Sequence, residues 1–202
     1  MAFRNLHSFI PKTIDPNVVC GIDEVGRGPW AGPLVACALM FTRNFQLKGL
    51  KDSKQLTHEK RELFYHIIQQ NSDYGIGIVE VEEIDRLGLI KATNLAFVRA
   101  LQGLQLKPEF LVVDGRDKLT LPHPFCTVIK GDEKLKVIAC ASIMAKVTRD
   151  RMMASLAKKY PHYGFEDHKG YGTQRHQKAL KKHGVCVLHR KSFLPIKQFL
   201  AA

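Results

Sequence analysis

Three short apolar runs lie early in the chain, VVCGID at 18–23, LVACALMF at 34–41 and DYGIGIVEV at 73–81, and a fourth, FLVVDG at 110–115, follows only after a long helical stretch. Runs of this length and β-branched content are strands. Three strands in succession predict a meander, and the helical connection before the fourth predicts a crossover that sets it parallel to a neighbour. FCTVI at 125–129 supplies a fifth strand. A helix starting at Thr57 has Glu59 and Glu62 near its N-terminal end and a stripe of Leu63, Phe64, Ile67 and Ile68; another carries Leu87, Ile90, Phe97, Leu101 and Leu104 on one side. The rest is mainly helical, EKLKVIACASIMAKVTRDRMMASLAKKY at 133–160 and TQRHQKALKKHG at 173–184, with Thr173 as an N-cap and Gly184 as a stop. The expected fold is α/β, a mixed five-stranded sheet flanked by helices, with a helical, basic C-terminal part from about residue 134. At 202 residues and 45% hydrophobic, the chain can bury one good core, so residues 1–202 are expected to form one domain.

Charge points to the partner. The formal net charge is +12, and residues 130–202 hold 16 Lys and Arg against 5 Asp and Glu, whereas residues 1–129 hold 15 against 14. An excess of this kind favours a polyanion, which is expected to lie against the C-terminal part. The longest apolar run has eight residues, far below the roughly 20 needed to span a bilayer. MAFRNLHSFIPK at the N-terminus has no apolar segment of a secretory signal. Cys20, Cys37, Cys126, Cys140 and Cys186 show neither Cys-x-x-Cys nor zinc spacing and read as buried thiols in a reducing compartment. A soluble cytoplasmic protein is expected, and nothing demands more than a monomer. The nine histidines lack zinc spacing too; most read as surface groups, with His168 a functional candidate.

Parallel strands side by side present their carboxyl ends to one crevice, where ligands bind. If the first and fourth strands are neighbours, Asp23 and Asp114 meet there. Carboxylates held together repel, so such a site calls for protons, a basic partner or a cation, and a hard divalent ion with oxygen ligands suits it best. Asp23 and Glu24 point to opposite faces of a regular strand, so both enter the crevice only if the backbone bends after Asp23, which Gly26 and Gly28 permit. The GRG loop can also bring backbone amides and Arg27 against a phosphate or sugar. Taken singly, each acid has a structural reading as well: Asp23 and Glu24 can end a strand, Asp114 can serve a turn, and Asp132 can cap a helix. Spacing alone does not choose between Asp132 and Asp150, and Asp150 reads as neutralising Arg149 and Arg151. Ser142 reads as a small residue that lets a helix pack closely.

GIDEVGRGPWAGP at 21–33, DSK at 52–54, VVDG at 112–115, KGD at 130–132, ASIMAKVTRD at 141–150 and HKGYGT at 168–173 together closely resemble bacterial ribonuclease HII, over a span from about residue 18 to RKSFLPI at 190–196. The resemblance implies an RNase H-like fold and an endonuclease acting on RNA/DNA hybrids and on duplex DNA containing single ribonucleotides. It implies that Asp23, Glu24 and Asp114 bind Mg²⁺ or Mn²⁺ and that Asp132 is the fourth active-site acid. The implied cut falls 5′ of a ribonucleotide and leaves a 3′-hydroxyl and a 5′-phosphate, in the service of ribonucleotide removal from DNA. Gly26, Arg27 and Gly28, with Tyr171, would sense the 2′-hydroxyl, which both donates and accepts hydrogen bonds. Lys54, Lys146 and Lys169 would contact phosphate. Without the resemblance, Tyr171 reads as a loop aromatic covering core; the runner-up function is a nucleic-acid-binding module that keeps the fold without catalysis, which would gain nothing from carboxylates clustered in its groove.

Overall fold

The computed structural model describes residues 3–43, 45, 47, 49, 50 and 56–200. Lys54 and the DSK block fall outside them. Five strands, β1 (Val19–Val25), β2 (Leu34–Phe41), β3 (Ser72–Val79), β4 (Phe110–Asp114) and β5 (Phe125–Val128), form one sheet in the order β3-β2-β1-β4-β5. β1, β2 and β3 are the antiparallel meander; β4 lies parallel to β1, and β5 parallel to β4. Helices are α1 (His58–Asn71), α2 (Val81–Leu87), α3 (Leu89–Gln102), α4 (Gly131–Lys134), α5 (Lys136–Lys159), α6 (Phe165–His168), α7 (Gln174–His183) and α8 (Leu194–Lys197).

Side chains alternate across the strands and split the interior in two. Val19, Val35, Cys37, Leu39 and Val112 face α1 and α5, whereas Cys20, Ile22, Leu34, Ala36 and Val113 face α3. A third cluster, built on Met153, Tyr163, Phe165, Leu180 and Ile196, holds the C-terminal helices together. Thr57 caps α1 by accepting from the Lys60 amide, and Thr173 caps α7 by accepting from the His176 amide.

Two expected helix faces are corrected. On α1 the buried residues are Phe64, Tyr65 and Ile68, while Leu63 is exposed. The helix before β4 is two helices, broken at Gly88 with φ 76°, and Ile90 is exposed. On α3 Phe97 and Leu101 are buried as expected, but Ala92, Ala96 and Ala100 fill the rest of the face against the sheet. The reason lies in β3. A Cβ on Gly77 would sit 1.9 Å from the Ala96 carbonyl oxygen and one on Gly75 2.0 Å from that of Ala100, so helix and strand touch backbone to backbone. Gly77→Ala must push α3 off the sheet, and overpacking of this kind is expected to destabilise by about 2–3 kcal/mol, read as a lower midpoint in urea with unchanged slope.

The same close approach positions the other face. A Cβ on Gly21 would lie 2.7 Å from the Val137 backbone, so the start of α5 rests directly on β1. Ser142 and Lys146, one turn apart further along α5, are thereby carried past the end of β1. Among the described residues, no helix is long and apolar enough to cross a membrane. All five cysteines are free; Cys20, Cys37 and Cys140 are buried, and Cys126 and Cys186 only partly so.

Candidate active site at the ends of two parallel strands

Ile22 of β1 pairs with Val113 of β4, so Asp23 and Asp114 follow side by side at the carboxyl ends of adjacent strands. Beyond that point β1 leaves β4 but stays paired with β2 as far as Val25–Val35. The gap is a cleft of about 240 Å³ lined by Asp23, Glu24, Val25, Asp114, Asp132, Ser142, Lys146 and Tyr171. No bend after Asp23 is needed, which corrects the expectation from the sequence. Asp23 points to the α5 side, Glu24 to the other, and with no β4 partner between them both reach the cleft.

Each acid is held by its own local contacts. Asp23 is 5% exposed, and its Oδ1 accepts from the Glu24 amide at 2.7 Å. Asp114 accepts from the Gly131 amide at 2.5 Å, which ties β4 to the start of α4. Asp132 is 6% exposed and lies inside α4, its Oδ1 3.0 Å from the Glu133 amide, while the N-cap position belongs to Lys130. Burial, then repulsion from Glu24 and Asp114, drives the Asp23 carboxyl well above the usual carboxylate range, and a hydrogen bond from Ser142 partly opposes this. Ser142 is thus a site residue that the sequence disguised as packing. Burial likewise raises Glu24 to about 7 against the pull of Arg27.

The GRG loop stands beside the cleft. Gly26 has φ 96°, where a Cβ would also strike the Arg149 side chain, and a Cβ on Gly28 would meet the Tyr171 ring at 3.6 Å. Arg27 turns its guanidinium to Asp117, at 2.5 Å, and to Glu24, at 3.5 Å. Tyr171 is 44% exposed in the cleft and does not cover core, a second correction. Lys146 lines the cleft and pairs with Asp150 at 2.8 Å. Asp150 therefore neutralises Lys146; Arg151 pairs with Glu62, and Arg149 binds backbone carbonyls. Lys169 does not line the cleft; its ammonium donates to the Glu166 carbonyl. Among the described residues, no three His, Cys, Asp or Glu side chains make a closed coordination group, so the acids line a cleft without forming a preassembled cage. Most of the histidines lie at the surface as expected, His7, His58, His66, His162 and His183 being exposed, but His168, His176 and His189 are buried.

Four carboxylates at the end of a mixed sheet, with a serine and a lysine from the helix that covers it, make an acidic site suited to hard cations, and comparison with known proteins places the chain among hydrolases of the RNase H class. A family model described as Ribonuclease HII matches residues 20–195. The chain is 50% identical over 183 residues to Ribonuclease HII of a Bacillus cereus strain and 49% identical over 183 residues to that of Bacillus anthracis, in each case over 90% of this chain and 71% of the relative. The fold is similar to ribonuclease H2 from Pyrococcus horikoshii OT3, with TM-score 0.75, 29% identity and coverage of 90% of this chain and 96% of that one. It is similar also to Bst-RNase HIII in complex with Mn²⁺, with TM-score 0.69 over 91% of this chain and 69% of that one, although at 21% identity this shows the fold alone. The chain belongs to the ribonuclease HII family and is a ribonuclease H of type HII.

Proposed function

We propose that the cleft cuts the RNA strand of RNA/DNA hybrids and nicks duplex DNA on the 5′ side of an embedded ribonucleotide, leaving 3′-hydroxyl and 5′-phosphate ends. The observation that carries this reading is the meeting of Asp23, Glu24, Asp114 and Asp132 in one cleft that also holds Tyr171 and abuts Gly28. A chain of formal net charge +12 that gathers four acids at one point has built a place for cations inside a surface suited to polyanions. Asp23, Glu24 and Asp114 would hold Mg²⁺ or Mn²⁺, with Asp132 as the fourth acid; oxygen donors and a buried, strongly raised carboxyl fit hard divalent ions. Bound there, such ions supply Lewis acidity for in-line displacement at phosphorus.

The protein's own groups do the rest. Ser142 keeps Asp23 oriented, the Gly131 amide keeps Asp114 oriented, and Lys146, which pairs with Asp150 at the cleft, would contact phosphate, as Lys54 and Lys169 would by resemblance. The backbone of Gly26, Arg27 and Gly28 approaches the sugar that bears the 2′-hydroxyl. The ring of Tyr171 packs on the next deoxyribose and has no room for a hydroxyl there, which favours an RNA-to-DNA junction. We place the enzyme in ribonucleotide removal from DNA in the cytoplasm, as a single-domain monomer.

The test is incubation of the purified protein with a duplex containing one ribonucleotide, with Mg²⁺, Mn²⁺ or chelator. A nick immediately 5′ of the ribonucleotide, with either metal and not with chelator, is expected. Tight binding with no cutting of this duplex or of a hybrid would overturn the proposal in favour of a binding module.

A further inference from the structure

Three buried histidines cluster beside the segment that carries Tyr171, two of them stacked and the third tilted against the pair. His168 and His176 have ring centroids 4.5 Å apart and planes within 14°, and His189 lies 5.2 Å beyond His176. Phe165 packs edge-on against His168 and His176, and Tyr163 lies 4.9 Å from His189. None of the three touches the acids, yet each bonds to the backbone of the 163–171 segment directly or through the next ring.

The hydrogen bonds fix where the protons sit. His176 Nδ1 is 3.0 Å from the Tyr171 carbonyl oxygen, which can only accept, so the proton of His176 is on Nδ1. Its Nε2 must then accept, and the donor is His189 Nε2 at 3.0 Å. His189 Nδ1 is left bare and accepts the Cys186 amide at 3.0 Å. The Cys186 carbonyl also lies near, at 3.3 Å, but a proton on His189 Nδ1 would reverse the chain and leave His176 Nδ1 bare against an acceptor. His168 is ordered in the same way, accepting the Gly170 amide at Nδ1 and donating from Nε2 to the Tyr163 carbonyl. The Gly170 carbonyl in turn accepts from the Trp30 amide at 2.8 Å, which laces this segment to the glycine loop.

We propose that His189 and His176 form a proton-ordered relay that positions Tyr171 for junction recognition, with His168 fixing the preceding Gly170. These are positioning residues, and the inference rests on the reading of the cleft given above. A second proton on either relay ring sets N–H against N–H, so the relay works only while both are neutral. The titratable groups facing the pair are His168, Tyr163 and Cys186, with Arg149 reaching the Lys169 carbonyl and Arg190 following His189 in the chain. Burial holds His176 and His189 down at about 4, helped by His168 beside the first and by His176 and His168 beside the second.

His176→Phe keeps an aromatic ring and removes both nitrogens, whereas His176→Asn loses volume but keeps a donor where Nδ1 stands. Steady-state cutting of a duplex with one ribonucleotide and of an all-RNA strand paired with DNA measures junction preference. His176→Phe is expected to lose about tenfold in that preference, the loss falling on KM more than on kcat, and His176→Asn to stay within about threefold of wild type. Melting curves give a second reading that needs no substrate. Because the folded pKa is depressed, the relay's contribution is present above the ordinary 6.5 and is lost as pH falls towards about 4, so His176→Phe should show a flatter decline across that window than wild type. Unchanged junction preference in His176→Phe, an equal loss in His176→Asn, or an acid decline as steep as wild type would overturn the inference alone. Wild-type protein that cuts neither substrate would overturn the functional reading and the inference with it.

Discussion

Asp23→Asn is expected to lower the rate of nicking about a thousandfold while raising the melting temperature of the metal-free protein. Removing a carboxylate that would hold the cation forfeits several kcal/mol of transition-state stabilisation, and about 4 kcal/mol corresponds to about three factors of ten. The stability change has the opposite sign because Asp23 is buried beside Glu24, Asp114 and Asp132. A carboxyl raised above its unfolded value contributes stability that is present below the unfolded pKa and is lost as pH rises through the folded one. In chelator, the amide variant should therefore gain on wild type as pH rises above 3.8, the ordinary value of the Asp23 carboxyl, with an advantage near neutrality of about 4 °C, corresponding to about 1–2 kcal/mol in a chain of this size. Added Mg²⁺ should narrow or reverse the gap, since the wild type has more to gain from binding. Equal nicking by the variant would remove Asp23 from the mechanism; equal melting curves in chelator would show that the carboxylates do not strain the folded state.

How much of this was legible from the chain depends on where each constraint resides. Asp23 and Asp114 were readable because each ends an apolar run, and a parallel pairing of those runs leaves little freedom in where the two acids fall. Thr173 was readable as a cap because a cap is satisfied within its own first turn. The face of α3 was legible only in part: Phe97 and Leu101 are buried as the stripe predicts, but the close seat of Ala96 and Ala100 is set by Gly75 and Gly77 on another element. Ser142 gave no local sign of its role, since what it bonds lies far back in the chain, on β1, and reaches it only because Gly21 lets α5 rest on that strand. The relay was hidden in the same way: His168, His176 and His189 sit on three segments with no common spacing, and burying them needs aromatic and backbone partners that only the folded chain supplies.

Arg190→Met is expected to destabilise the protein by about 4 kcal/mol, because the guanidinium it removes is fully buried and its partners are backbone carbonyls that cannot move to water. Arg190 donates to the carbonyls of Gly26 at 2.6 Å, Arg27 at 3.1 Å and Gly32 at 2.8 and 3.1 Å, so one side chain satisfies three acceptors of the loop beside the cleft. Arg149, equally buried, does the same for Pro33, Ala31 and Lys169 and so joins that loop to the segment carrying Tyr171. Two guanidiniums buried this close repel, and burial with that repulsion presses the Arg190 pKa below its ordinary value. The arrangement persists because a glycine loop free to approach a sugar backbone has no side chains of its own to hold it, and five-donor groups from behind supply the rigidity. A loss of about 4 kcal/mol should appear as a melting temperature lower by about 8–16 °C. Arg190→Lys, which retains the charge but spans fewer carbonyls, should fall between the two and show a raised KM for the ribonucleotide duplex at temperatures where it remains folded. A lysine variant with wild-type stability and KM would mean that charge alone, and not the fork of donors, holds the loop.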